Sequence, residues 1–277
     1  MTPGRAGFAF ELLTPSEGEG QTDAERMYGG PLRFAQQPHP RVVANFVATI
    51  DGVVSLGLHD GTDSSTVSGH DAADRYLMGM LRAAAGAVMI GAGTLRASVG
   101  HQWTPGAVAP GQAAELAAYR AGLGLPDSPA PLVVVTGSGQ LPSHVALTDP
   151  QTEPVVATTP QGLPRVRAAF PRLRTVVAGS GRPINGEDLL AELAAELGPG
   201  LVLTEGGPSL VGALLRAGSL HELFLTVAPW LAGRDPSHPR LALVNEFVAG
   251  PHGLKRAELV SARRAGDHLF LRYGLSG

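Results

Sequence analysis

The stretch "LVLTEGGPSLVGALLRAG", residues 201–218, joins a short apolar run to an amphipathic pattern through one acid, two glycines and a proline. The run 201–204 predicts a buried strand, and Pro208 suits a first helical turn because the N–H it lacks is one of that turn's unpaired donors. Gly218, just past the last apolar residue, suits a left-handed helix end. Gly206 and Gly207 let a ligand approach the backbone closely, and the free N–H groups and dipole of a helix start favour an anion such as phosphate. Glu205 projects from the carboxyl end of a strand, where open α/β sheets bind ligands. Taken alone, Gly-Gly-Pro is equally ordinary turn chemistry.

Outward from this stretch the same device recurs. "VMIGAGT" (88–94) and "VVVTGSG" (133–139) are strands that end in glycine and small hydroxyl residues. The first lacks the third glycine of the dinucleotide fingerprint G-x-G-x-x-G. "RVVANFVATIDG" (41–52), "EPVVATT" and "LRTVVAGSG" add further strands, and helices are predicted near 68–84, 112–122, 161–169 and 186–197, with Ser68 as a cap for the first. Alternating strands and helices predict an α/β fold with a mixed, mainly parallel sheet covered on both faces. "SLHELFLTVAPWLAG" and "KRAELVSARRAGDHLFLRYGL" break the alternation and predict an antiparallel C-terminal edge. Residues 1–40, rich in proline and glycine, read as an extension packed on the domain or partly disordered, and 41–277 as one domain.

Composition narrows the chemistry. The 277 residues are 44% hydrophobic and 16% charged, with a formal net charge of −3, so nothing marks a nucleic-acid or anionic-membrane surface. No cysteine is present, which removes disulfides, thiolate metal sites and cysteine nucleophiles. No H-E-x-x-H, G-x-S-x-G or G-x-x-x-x-G-K-[ST] occurs, and no metal site is expected. The lack of a signal segment or spanning run is read as a cytoplasmic soluble protein. Asn45 is a polar residue inside an apolar strand, for which a backbone hydrogen bond is the plain explanation, and Asp51-Gly52 is a turn dipeptide.

Four segments, 45–52, 68–97, 132–142 and 201–233, together resemble the reductase domain of the bifunctional riboflavin-biosynthesis deaminase–reductase, a family with a dihydrofolate-reductase-like fold. The resemblance implies a homodimeric enzyme that uses NADPH to reduce the ribosyl group of a 5-amino-6-(5-phosphoribosylamino)uracil-like small molecule to ribityl. Carried over by position, Ala48, Gly91, Thr94, Thr136, Gly206, Gly207, Pro208, Ser209 and Leu210 would hold the cofactor. Asn45, Asp51, Ser68 and Glu205 would face the substrate, with Asp51 or Glu205, at raised pKa, donating the proton. Arg75, Arg82 and Arg96 are candidates for the substrate phosphate. The chain departs from the family at Ser98-Val99, where an acid is usual, and at Val53, where lysine is usual. The alternatives are a related oxidoreductase of another pteridine or pyrimidine, or a nucleotide-binding module without turnover.

Overall fold

The computed structural model describes residues 7–16, 18–34, 38–58, 60–181 and 184–275. Among the described residues ten strands form one sheet: β1 Glu11–Leu12, β2 Arg41–Thr49, β3 Ala87–Gly91, β4 Leu132–Thr136, β5 Val155–Thr158, β6 Arg174–Val177, β7 Leu201–Thr204, β8 Glu222–Ala228, β9 Ala257–Ala265 and β10 His268–Leu275. Their order is β1-β9-β10-β8-β2-β7-β3-β4-β5-β6. From β8 to β6 all neighbours run parallel, whereas β8–β10, β10–β9 and β9–β1 are antiparallel. This is the mixed, mainly parallel sheet with an antiparallel C-terminal edge that the alternation predicts.

The α-helices are α1 Asp23–Tyr28, α2 Asp63–Val67, α3 Ala72–Ala84, α4 Ala92–Ala97, α5 Pro105–Val108, α6 Ala113–Gly122, α7 Leu163–Ala169, α8 Gly186–Leu197 and α9 Pro208–Arg216. Among the described residues no helix is long and apolar enough to cross a membrane. Central parallel strands are apolar on both faces, and "LVVVT" of β4 is buried throughout. One face packs Val43, Ile90, Val134 and Leu203 against Tyr76, Leu77, Met80 and Leu81 of α3 and Leu116 of α6. The other packs Val42, Met89, Val133 and Val202 against Leu189 and Leu193 of α8 and Val211 and Leu214 of α9. Successive strand side chains alternate between these layers.

Two local expectations change. The N-cap of α3 is Asp71, whose carboxylate accepts the Asp74 N–H at 2.8 Å. Ser68 instead closes α2, a helix the sequence pattern did not suggest: its N–H reaches Ser64 O and its hydroxyl Ser65 O. The expectation for residues 1–40 lies partly outside the described residues. Those described are built into the fold. Ala24, Tyr28 and Leu32 are core residues, β1 pairs with β9, and the buried Arg263 guanidinium lies 3.8 Å over the Tyr28 ring.

Candidate active site

The glycine-ended strands meet. β3 and β7 are neighbours, paired through Met89 and Thr204, so the loops after them lie side by side. Gly91 N–H donates to Gly206 O at 2.9 Å, and Glu205 N–H to Met89 O at 3.1 Å. The peptide between Gly206 and Gly207 is cis. Gly206 has φ +129, and a Cβ there would stand 2.8 Å from Thr94 Oγ1; one on Gly91 would stand 3.4 Å from Gly207 N. Only glycine therefore fits Gly206 without a shift. Gly207 is the N-cap of α9 and its carbonyl accepts from Leu210 and Val211. Among the described residues no acceptor meets the N–H of Gly207 or of Ser209.

The other residues expected around a cofactor take different places. Leu210 is buried in the α8–α9 layer. Ser209 Oγ accepts from Asn245 Nδ2 at 3.2 Å, and Asn245 N–H donates to Pro208 O. Asn245, in the connection after β8, was not singled out in the sequence. The Thr136 hydroxyl accepts the Gly139 N–H at 3.1 Å and so shapes its own turn. Ala48 falls on the α8–α9 face by the alternation of β2 and is paired with Val227.

Asn45 falls on the opposite, α3 face, and is 8% exposed. No described hydrogen bond satisfies its side-chain amide. Glu205 stands one residue beyond the last β2–β7 pair, Ala44 with Thr204. Its two oxygens accept from Arg82 Nε at 2.9 Å and Nη2 at 2.7 Å, with the side chains 7% and 1% exposed. Arg82 also donates to Gln102 O, Thr104 O and His101 Nε2. A guanidinium only donates, so His101 Nε2 accepts and the imidazole is neutral. Burial above all, with the Arg82 charge beside it, pushes His101 down to about 3. All five Arg82 donors are thus engaged, which removes it as a phosphate ligand. Glu205 stands as the acceptor in a buried ion pair with Arg82.

Asp51 corrects the other half of the proton-donor expectation. Its carboxylate accepts from Thr49 Oγ1 at 2.6 Å, Ala232 N–H at 3.1 Å and Gly233 N–H at 2.7 Å. These bonds hold it well below the usual carboxylate range, opposite to the raised pKa expected. Arg234 Nη2 donates to Asp51 O at 2.7 Å and keeps an exposed cation at the end of β2. Arg75 is turned to His70 O and Arg96, exposed on α4, lies 3.5 Å from Gln140 O. The Ser68 hydroxyl is spent on its own helix, while its carbonyl accepts from His268 Nε2 at 2.9 Å.

One acid was missed. Asp74, in the first turn of α3, is 5% exposed, and burial pushes its carboxyl up to about 6. Its position was legible, because Asp74 shares a helical stripe with Leu77 and Leu81 where an acid is out of place.

Among solved structures, the chain is similar to a pyrimidine reductase-like protein from Corynebacterium diphtheriae, with TM-score 0.68 and 20% identity over 92% of this chain and 99% of that one. It is also similar to RibD of Acinetobacter baumannii, with TM-score 0.61 and 20% identity over 87% of this chain and 59% of that one. At these identities the likeness speaks for the fold. By sequence it is 26% identical over 240 residues, 86% of this chain and 99% of the other, to the 2,5-diamino-6-ribosylamino-4(3H)-pyrimidinone 5′-phosphate reductase of Methanothermobacter thermautotrophicus. Residues 40–270, most of the chain, match the RibD C-terminal domain, and the chain belongs to that family.

Proposed function

We propose that the chain is an NADPH-dependent reductase that converts the ribosyl group of a 5-amino-6-(5-phosphoribosylamino)uracil-like phosphate to ribityl. The observation that carries this reading is the pair of interlocked glycine loops at the ends of β3 and β7, with the N–H groups of Gly207 and Ser209 unmet at the start of α9. The fit to a diphosphate is chemical: bare backbone, free donors, a helix start, and the one acid of the loop, Glu205, turned to Arg82. When bound, NADPH supplies a hydride. The chain's residues hold and orient. Gly91, Gly206 and Gly207 would take the diphosphate, Asn45 and Glu205 on the α3 face would meet the polar edge of a pyrimidine, and Arg234 is the exposed cation for a phosphate.

The test is NADPH titration followed by its oxidation with the uracil phosphate and, separately, with the diaminopyrimidinone phosphate that the archaeal relative's name specifies. Turnover of either supports the reading and assigns the substrate. Binding without turnover of both favours the non-catalytic alternative or another substrate, and no binding defeats the proposal.

We propose further that two copies associate through the outer face of the antiparallel edge. Leu223, Leu225 and Val227 of β8 stand opposite Tyr273, Leu271 and Leu269 of β10 and are part-exposed, although the inner face of these strands already carries core residues Phe224 and Phe270. Strands apolar on both faces call for a cover on each. Light scattering is expected to give a dimer, and Leu269→Glu a folded monomer; a monomeric wild type overturns the proposal.

A further inference from the structure

A helix start serves an anion only while its donors stay unspent. The head of α9 has no side-chain cap, and the N–H groups of Gly207 and Ser209 meet no acceptor among the described residues. The third polar group there is the Ser209 hydroxyl. A serine in a first turn readily bends its hydroxyl back to nearby backbone, yet this one is taken from outside, by Asn245 Nδ2 at 3.2 Å. We infer that Asn245 is a positioning residue for the cofactor, acting through Ser209. It holds the hydroxyl as an acceptor, so that the hydroxyl proton joins the Gly207 and Ser209 N–H groups as a donor to the diphosphate. This rests on the functional reading above.

The path of the chain brings Asn245 to this place. Residues 229–256 connect β8 to β9 with no helix or strand among them, and so long a connection is usually functional. It leaves β8 beside the exit of β2, where Ile50 N–H donates to Trp230 O at 2.9 Å and the Asp51 carboxylate takes the N–H groups of Ala232 and Gly233. Leu241 then bridges to Ser55, and its carbonyl accepts the Val54 N–H at 2.9 Å. From there the strap reaches α9. Asn245 N–H donates to Pro208 O at 3.1 Å, and the Arg216 guanidinium donates to Glu246 O. Gly212, buried on α9, is the notch that admits the strap, because a Cβ there would run into the Asn245 carbonyl. The strap thus ties the exit of β2 to the helix that the β7 glycine loop opens.

The chemistry follows from what each group can do. A hydroxyl accepts through its lone pairs and donates one proton. With Nδ2 donating to it, the Ser209 oxygen is engaged and its proton is left for another acceptor. Hydrogen bonds in such a chain polarise one another, which strengthens the remaining donor. Asn245 does this without bringing a charge to the cradle. An aspartate in its place could only accept; it would draw the Ser209 proton to itself and set a negative charge beside the free N–H groups.

The experiment titrates NADPH by calorimetry into wild type, Asn245→Ala, Ser209→Ala, the double variant and Asn245→Asp, at low and high salt, with the melting temperature of each. Loss of one exposed hydrogen bond is expected to weaken NADPH binding by Asn245→Ala about three- to tenfold. The double variant is expected to bind no more weakly than Ser209→Ala, because Asn245 acts through that hydroxyl. Asn245→Asp separates positioning from a merely structural contact. An acid near a helix start stabilises the empty protein, so its melting temperature is kept or raised. NADPH nevertheless binds to it at least about tenfold more weakly than to wild type, with the difference shrinking at high salt. Three results overturn the assignment and leave the reductase reading standing: Asn245→Ala within about twofold of wild type, a double variant whose loss is the product of the single losses, or an Asn245→Asp chain that loses affinity and melting temperature together. A wild type that does not bind NADPH is a failure of the functional reading, and the inference falls with it.

Discussion

Arg82→Met is expected to lower the unfolding free energy by about 3–5 kcal/mol, the usual cost of removing one partner of a buried ion pair. The substitution keeps the length and apolar stem of the side chain, so the loss is electrostatic. It leaves Glu205 charged and nearly enclosed, and it takes donors from Gln102 O, Thr104 O and His101 Nε2 together. Adding Glu205→Leu to the same chain removes the stranded charge and is expected to recover much of the deficit, since a buried pair is often replaced by apolar residues without net cost. Urea denaturation of the two variants checks both. A single variant within about 1 kcal/mol of wild type would show that the pair is far wetter than its 1% and 7% exposures imply.

Gly207→Val is the second large effect, and it falls on the cofactor rather than on the fold. Gly207 has no positive φ, and a Cβ there would make an ordinary 3.5 Å contact with Thr94 Oγ1. A valine therefore fits the backbone but stands over the free N–H groups at the head of α9. NADPH affinity is expected to fall at least about a hundredfold, ~2.7 kcal/mol, with the melting temperature nearly unchanged. Gly206→Ala is the contrast: its φ of +129 and the 2.8 Å approach to Thr94 Oγ1 make it a folding lesion. Calorimetric titration of Gly207→Val with NADPH is decisive, and unchanged affinity removes the glycine loops from the site.

Most of the architecture could be read from local punctuation. β7, α8 and the start of α9 fall where Gly, Pro and the change of hydrophobic period put them. Caps were less legible, because Ser68 and Asp71 are both good capping types and only the chain's path between α2 and α3 decides which one is used. The site divides in the same way. Glycines that must sit close to another backbone are visible as residue types. The protonation of Asp51 depends on the N–H groups of Ala232 and Gly233, 181 and 182 positions away, and the state of Glu205 on an arginine 123 positions away. Such partners leave no mark on the local pattern. Asp74 did leave one, an acid on an apolar stripe, but its meaning depends on Thr226 and His268 reaching it from other strands.

The short pairing of β1 with β9 protects the rim of the sheet. Glu11 and Leu12 occupy the ladder positions opposite Arg264 and Arg263, and the Glu11 carboxylate pairs with the Arg264 guanidinium. A chain trimmed to begin at residue 40, where the family match starts, would leave this ladder bare and take the Tyr28 ring from Arg263. Naked strand edges recruit one another, so such a shortened protein would clump into insoluble particles even with the whole family match retained.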